Sequence, residues 1–107
     1  MKPYIYLFIR EDLGPAQQII QTAHAVEGLL QKLGPGTDTN NMVLFSIKSE
    51  WDLEETSYRM QKHGIQHKMC YEPDVNEHTA IATEPIRCTE KRKFFRKYRM
   101  KNNTTFV

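Results

Sequence analysis

The sequence has little of what marks out most protein classes. Its 107 residues include two cysteines, Cys70 and Cys88, with neither the pairing of a disulfide framework nor the CxxC spacing of a zinc site. A reduced, intracellular and cytoplasmic protein is therefore expected. No apolar run approaches the roughly 18 residues that a bilayer-spanning helix needs, so no membrane partner is expected. The opening MKPYIYLFIRED has a short apolar run and no small-residue cleavage pattern, which suits a strand and not a signal peptide. Internal repeats and low-complexity tracts are absent. The four histidines, at 24, 63, 67 and 78, lack HExxH-type spacing, so neither a metal nor another cofactor is expected.

What is present describes an ordinary globular chain of one domain, residues 1–107, with 39% hydrophobic and 26% charged residues. The net charge of +2 hides an asymmetry. Between Arg87 and Lys101 stand eight basic residues (Arg87, Lys91, Arg92, Lys93, Arg96, Lys97, Arg99 and Lys101) against Glu90 alone. That segment carries +7 and leaves −5 on the rest. Phe94, Phe95, Tyr98 and Met100 are interleaved with its cations, a mixture that suits nucleic-acid binding. It equally suits a closing element whose aromatics pack on the sheet while the cations face water.

Hydrophobic patterning predicts alternating strands and helices. Tyr4–Ile9 is a continuous apolar run, as in a strand covered on both faces. Gly14-Pro15 opens a helix in which Ile19, Ala23, Val26, Leu30 and Leu33 form the predicted inward stripe, and Gly34-Pro35-Gly36 stops it. Met42–Ile47 is a second strand. Ser49-Glu50-Trp51-Asp52 reads as a capped helix start running to about His63 before Gly64. Ile65–Tyr71 is a third strand near an edge, Thr79–Thr83 a fourth. A short helix from about Thr89 and an extended piece over Tyr98–Lys101 finish the chain. The expected fold is a small three-layer α/β/α domain with a mixed, mostly parallel four-stranded sheet. Its first three strands are parallel, and the link between the third and fourth is too short for a crossover.

Ligands of such sheets gather at the carboxyl ends of parallel strands. There the turn after Arg10 and the start of the first helix can face Glu72–His78. Gln17, Gln21, His24 and Gly28 share one helical stripe, able to meet a phosphate, a carbonyl or a water, and equally suited to a solvated polar face. Glu72 or Asp74 can serve as a base or water-orienting carboxylate, with Thr79 directing a hydroxyl to the same point. A turn-forming loop collects the same residue types.

Together, REDLGPAQQIIQTAHAV (residues 10–26) and YEPDVNEHTAIATEPI (residues 71–86) resemble the type-2 peptidyl-tRNA hydrolases of archaea and eukaryotes. The similarity is closer to their divergent peptidyl-tRNA hydrolase domain-containing relatives. It runs over most of the chain, including the closing FFRKYRMK. The resemblance implies an α/β/α domain, commonly a homodimer, that hydrolyses the ester between peptide and tRNA without a metal. It implies catalytic positions at Gln17, Gln21, Glu72 and Thr79. Substrate contacts are further expected from Arg10, Asp12, His24, Asp74, Lys91, Arg92, Lys93, Arg96 and Lys97. Two positions depart from the family: Gln17 stands where it has lysine, and Glu72 where it has aspartate. The loop after Glu72 is shorter than in the classical enzymes. The expected partner is tRNA or peptidyl-tRNA. With the lysine replaced, a non-catalytic module binding tRNA, a nucleotide or a protein is the alternative expectation.

Overall fold

The computed structural model describes residues 2–98 and, for the backbone only, 100–106. The elements are β1 (Ile5–Arg10), α1 (Pro15–Leu33), β2 (Met42–Ile47), α2 (Glu50–Lys62), β3 (His67–Glu72), β4 (Glu77–Thr83), α3 (Thr89–Lys93) and β5 (Met100–Phe106). They form one five-stranded sheet in the order β3-β4-β1-β2-β5. The expected α/β class and mixed sheet are found, and β1, β2 and β3 point the same way. Only β1–β2 is a parallel pair, however, because β4 lies between β1 and β3 and pairs antiparallel with both. The fifth strand, longer than the expected closing piece, pairs antiparallel with β2.

β1 is the sheet's central strand, and all six of its residues are buried. Its alternation divides the core. Ile5, Leu7 and Ile9 meet α1 through Ala25 and Leu29, while Tyr6 and Phe8 meet α2 and the closing segment. On that second face Phe95 stacks on Tyr6 at 3.9 Å and Tyr98 sits edge-on to Phe8 at 4.9 Å. The aromatics of the basic segment are therefore core residues. Ser49 caps α2 as its sequence suggests, accepting from the Asp52 backbone N–H and donating to its carboxylate.

The face of α1 differs from expectation. Gln21, Ala25 and Leu29 are buried, whereas Ile19 is 73% exposed and Ile20 43%. Val26 and Leu33 still reach the core from the sides. The stripe was misassigned because it treated Gln21 as outward-facing; a buried amide is tolerated when every polar atom has a partner, and here each does. Two turns on, Gly28 lets the helix approach edge strand β3. A Cβ there would lie 3.1 Å from Lys68 Cγ. Among the described residues no helix is long and apolar enough to cross a membrane.

Candidate functional site

The β3–β4 hairpin closes with Glu72 opposite Glu77 around a four-residue turn, in which Asn76 takes a positive φ of 57°. Within β4 the ladder slips: Cys70 pairs with Ala80 but Tyr71 pairs with His78, leaving Thr79 as an extra, unpaired residue. Strict alternation from Ala80 and Ile81 would send Thr79 towards α2. The bulge instead turns it towards α1, re-aiming a side chain as bulges commonly do.

There Thr79 meets Gln21. Its Oγ1 donates to Gln21 Oε1 at 2.8 Å, and Cys70 Sγ donates to the same oxygen at 3.4 Å. Gln21 Nε2 donates to Glu72 Oε2 at 2.9 Å and to Gln17 Oε1 at 3.1 Å. A carboxylate only accepts, so the amide orientation is fixed by Glu72. The Asp74 backbone N–H adds a bond to Glu72 Oε1 at 3.2 Å. The Gln21 bond, then the Asp74 N–H, hold the Glu72 carboxyl below the usual glutamate range, with His24 adding in the same direction. Glu72 is thus ionised at neutral pH, a good acceptor for an oriented water and a weak proton acceptor.

The structure therefore brings Gln17, Gln21, Glu72 and Thr79 together, with His24 close enough to influence Glu72. It also corrects their expected roles. Gln21 and Thr79 are each 1% exposed, with their bonds directed to each other and to neighbours, which leaves Gln17, His24 and Glu72 as the solvent-accessible members of the cluster. Asp74 contributes its backbone N–H and leaves its side chain exposed. Cys70 belongs to the cluster and was missed by sequence reasoning. Its signal was the strand period of two, which puts Cys70 and Glu72 on one face of β3. Burial, the largest cause, pushes its thiol up from the usual range.

Arg10 and Asp12 form a neighbouring, closed network. Arg10 grips Asp12 through two bonds of 2.9 and 2.8 Å and donates to Glu77 at 2.7 Å and the His78 carbonyl at 3.0 Å. At 6% exposure its guanidinium is committed to the protein, contrary to a substrate-contacting role. It ties the end of β1 to the start of β4, and so supports the bulge. Arg10 in turn holds the Asp12 carboxyl below its usual range.

The basic segment lies elsewhere. Arg92 donates to the Ile86 carbonyl and to that of Lys2, and it covers the Tyr4 ring. These contacts place it near the amino end of β1, whereas the Glu72 cluster is at the carboxyl end and on the other face. Lys91 pairs with Glu84 and Lys93 with Glu90, Lys97 lies over Phe94 and Tyr98, and Arg96 is exposed. β1 spans roughly 20 Å, so only a long polyanion would touch both regions. Lys68 is also remote from the Glu72 cluster. It lies against Gly28, four residues and roughly 13 Å along β3 from Glu72.

No protein-family model matches this chain, and no curated protein does. Among solved structures, a protein of unknown function from Agrobacterium tumefaciens strain C58 is similar, with a TM-score of 0.68 at 14% identity over 94% of this chain and 98% of that one. At that identity the likeness concerns the fold alone.

Proposed function

We propose that this chain is a divergent peptidyl-tRNA hydrolase-type protein, cytoplasmic, that cleaves the ester between an acyl or peptidyl group and tRNA. The observation that carries this reading is the assembled Gln21–Glu72–Thr79 chain of hydrogen bonds, in which an ionised carboxylate is held at the surface by a buried, fully bonded amide. In the proposed mechanism Glu72 orients the attacking water and, as a weak base, takes up its proton only as the tetrahedral intermediate forms, then returns it to the departing ribose oxygen as the ester C–O bond breaks. The amide N–H groups of Gln17 face the developing oxyanion, a neutral donor where an ammonium would supply a full charge. Removing one such electrostatic contact typically costs about 10²–10³ in rate, so turnover is slow. His24, one turn beyond Gln21, acts on the same carboxylate electrostatically.

The second reading, a non-catalytic tRNA- or nucleotide-binding module, is favoured by one observation: no ammonium or guanidinium bonds to Glu72 among the described residues. Measuring tRNA retention and peptide release on the same peptidyl-tRNA separates the two. Release that is lost in Glu72→Ala while retention persists supports the hydrolase. Retention without release in the native protein supports the binding module.

A further inference from the structure

Three consecutive residues at the start of β4 serve three neighbours. Glu77 pairs with Arg10, His78 turns to α2, and Thr79 turns to α1. The His78 contact is unused by the site described above and lies on the opposite face of the sheet. Its Nδ1 is 3.0 Å from Glu54 Oε2 and 3.9 Å from Glu50 Oε2. Glu50 Oε2 also accepts the His78 backbone N–H at 2.8 Å. One donor atom from each residue lies within 4.8 Å of the other two.

Several local features converge on this arrangement. Glu50 and Glu54 are one helical turn apart, so α2 stacks their carboxylates on one face. The β4 bulge aims the imidazole at them, and Tyr71, edge-on with ring centroids 5.3 Å apart, limits its rotation. The ion pairs of both glutamates go to His78. Nδ1 is within hydrogen-bond range of Glu54 but not of Glu50, which is held beside it by the His78 backbone N–H, so two carboxylates flank one ring nitrogen. A divalent cation would neutralise both.

We propose that Glu50, Glu54 and His78 form a binding site for a borderline divalent metal ion of the Zn²⁺, Co²⁺ or Ni²⁺ class. Bonds of about 2.1 Å put neighbouring ligand atoms about 3.0–3.4 Å apart, so separations of 3.0 and 3.9 Å need only small side-chain movements. The side chains are 31–48% exposed, which leaves room for those movements. An imidazole donor favours these metals over Mg²⁺ and Ca²⁺, which prefer oxygen ligands throughout. The ion takes the Nδ1 lone pair of the neutral imidazole, whose remaining proton sits on Nε2. Three protein donors leave at least one coordination position to water. Sequence spacing could not signal the site, because its ligands come from two elements and 24 or more residues separate His78 from the glutamates.

The test is a calorimetric titration of Zn²⁺ alone into the metal-free full-length chain, paralleled by Co²⁺ with visible absorption as the readout. The expected result is one ion per chain, binding lost in His78→Ala, weakened at least tenfold in the surface variant Glu54→Gln, and unchanged in His63→Ala. Co²⁺ absorption follows the same order. Absence of stoichiometric binding in the native chain overturns the proposal, as does native-like binding by both His78→Ala and Glu54→Gln. Circular dichroism of each variant identifies any that has failed to fold, and Glu54→Gln, changed only at an exposed carboxylate, then decides alone.

Discussion

Thr79 Oγ1 and Gln21 Oε1 are 2.8 Å apart across the α1–sheet interface, although simple alternation along β4 would place Thr79 on the far face. The β-bulge makes this contact, and the Arg10 network at the start of β4 holds the bulge in place. The surface carboxylate of Glu72 is oriented through the same amide, so the bulge, Gln21 and Glu72 form one mechanical unit.

Replacing the Thr79 hydroxyl by a methyl tests that unit. Thr79→Val keeps the volume but leaves Gln21 Oε1 with only the weak Cys70 donor. The expected loss is roughly 1–3 kcal/mol, the cost of a buried polar atom left short of a partner. Urea unfolding measures it, and Thr79→Ser, which restores the hydroxyl, recovers most of it. Equal stability of Thr79→Val and the native protein would show that the hydrogen bond contributes little.

Acid sensitivity should trace to His67. A carbonyl can only accept, so His67 Nδ1–H donates to Ile65 O at 3.0 Å, and Nε2 then accepts from the Ser57 hydroxyl at 2.6 Å. Burial, with Lys32 adding to it, depresses the imidazole below its ordinary 6.5, while the Ile65 bond opposes the shift. Below pH 6.5 the unfolded chain binds a proton that the folded chain refuses. Stability is therefore full above that pH and falls on acidification, with a slope of at most about 1.4 kcal/mol per pH unit. Unfolding at pH 7 and 5.5 should show this loss in the native protein and a smaller one in His67→Gln. The carboxyls of Asp12 and Glu72, both shifted downward, contribute only at lower pH.

Gly28 offers a prediction of opposite sign. Alanine there gains about 1 kcal/mol of helix propensity. The added Cβ meets only the flexible stem of exposed Lys68, at 3.1 Å, and that stem can move aside. Gly28→Ala should raise the urea midpoint modestly; a fall would mean that the close approach of α1 and β3 is required at that point.

Much of the architecture was legible because it depends on local chemistry. The unbroken apolar run of β1, the Ser49 cap and the Gly34 stop each specify an element without help from the rest of the chain. The rotation of α1 was not legible. Gln21 faces inward only because Cys70, Glu72 and Thr79 complete its hydrogen bonding, and those partners lie about 50 residues or more away. The bulge carries no glycine or proline to announce it. MKNNTTF in β5 has no apolar alternation, so its pairing with β2 comes from the tertiary structure. Among the site residues, Gln17, Gln21, Glu72 and Thr79 do meet. The basic segment stood out by its charge, and charge alone does not show whether a cation, there or at Arg10, is already held by its own protein.

The most direct test of the central claim is the rate of peptide release from a defined peptidyl-tRNA by the native protein, Glu72→Ala and Gln17→Lys, measured side by side at low and moderate salt. Slow native turnover, abolished by Glu72→Ala and raised at least tenfold by Gln17→Lys, is the predicted result. No release by any of the three, with salt-sensitive tRNA binding intact, would contradict the account and leave the Glu72 cluster as a binding site.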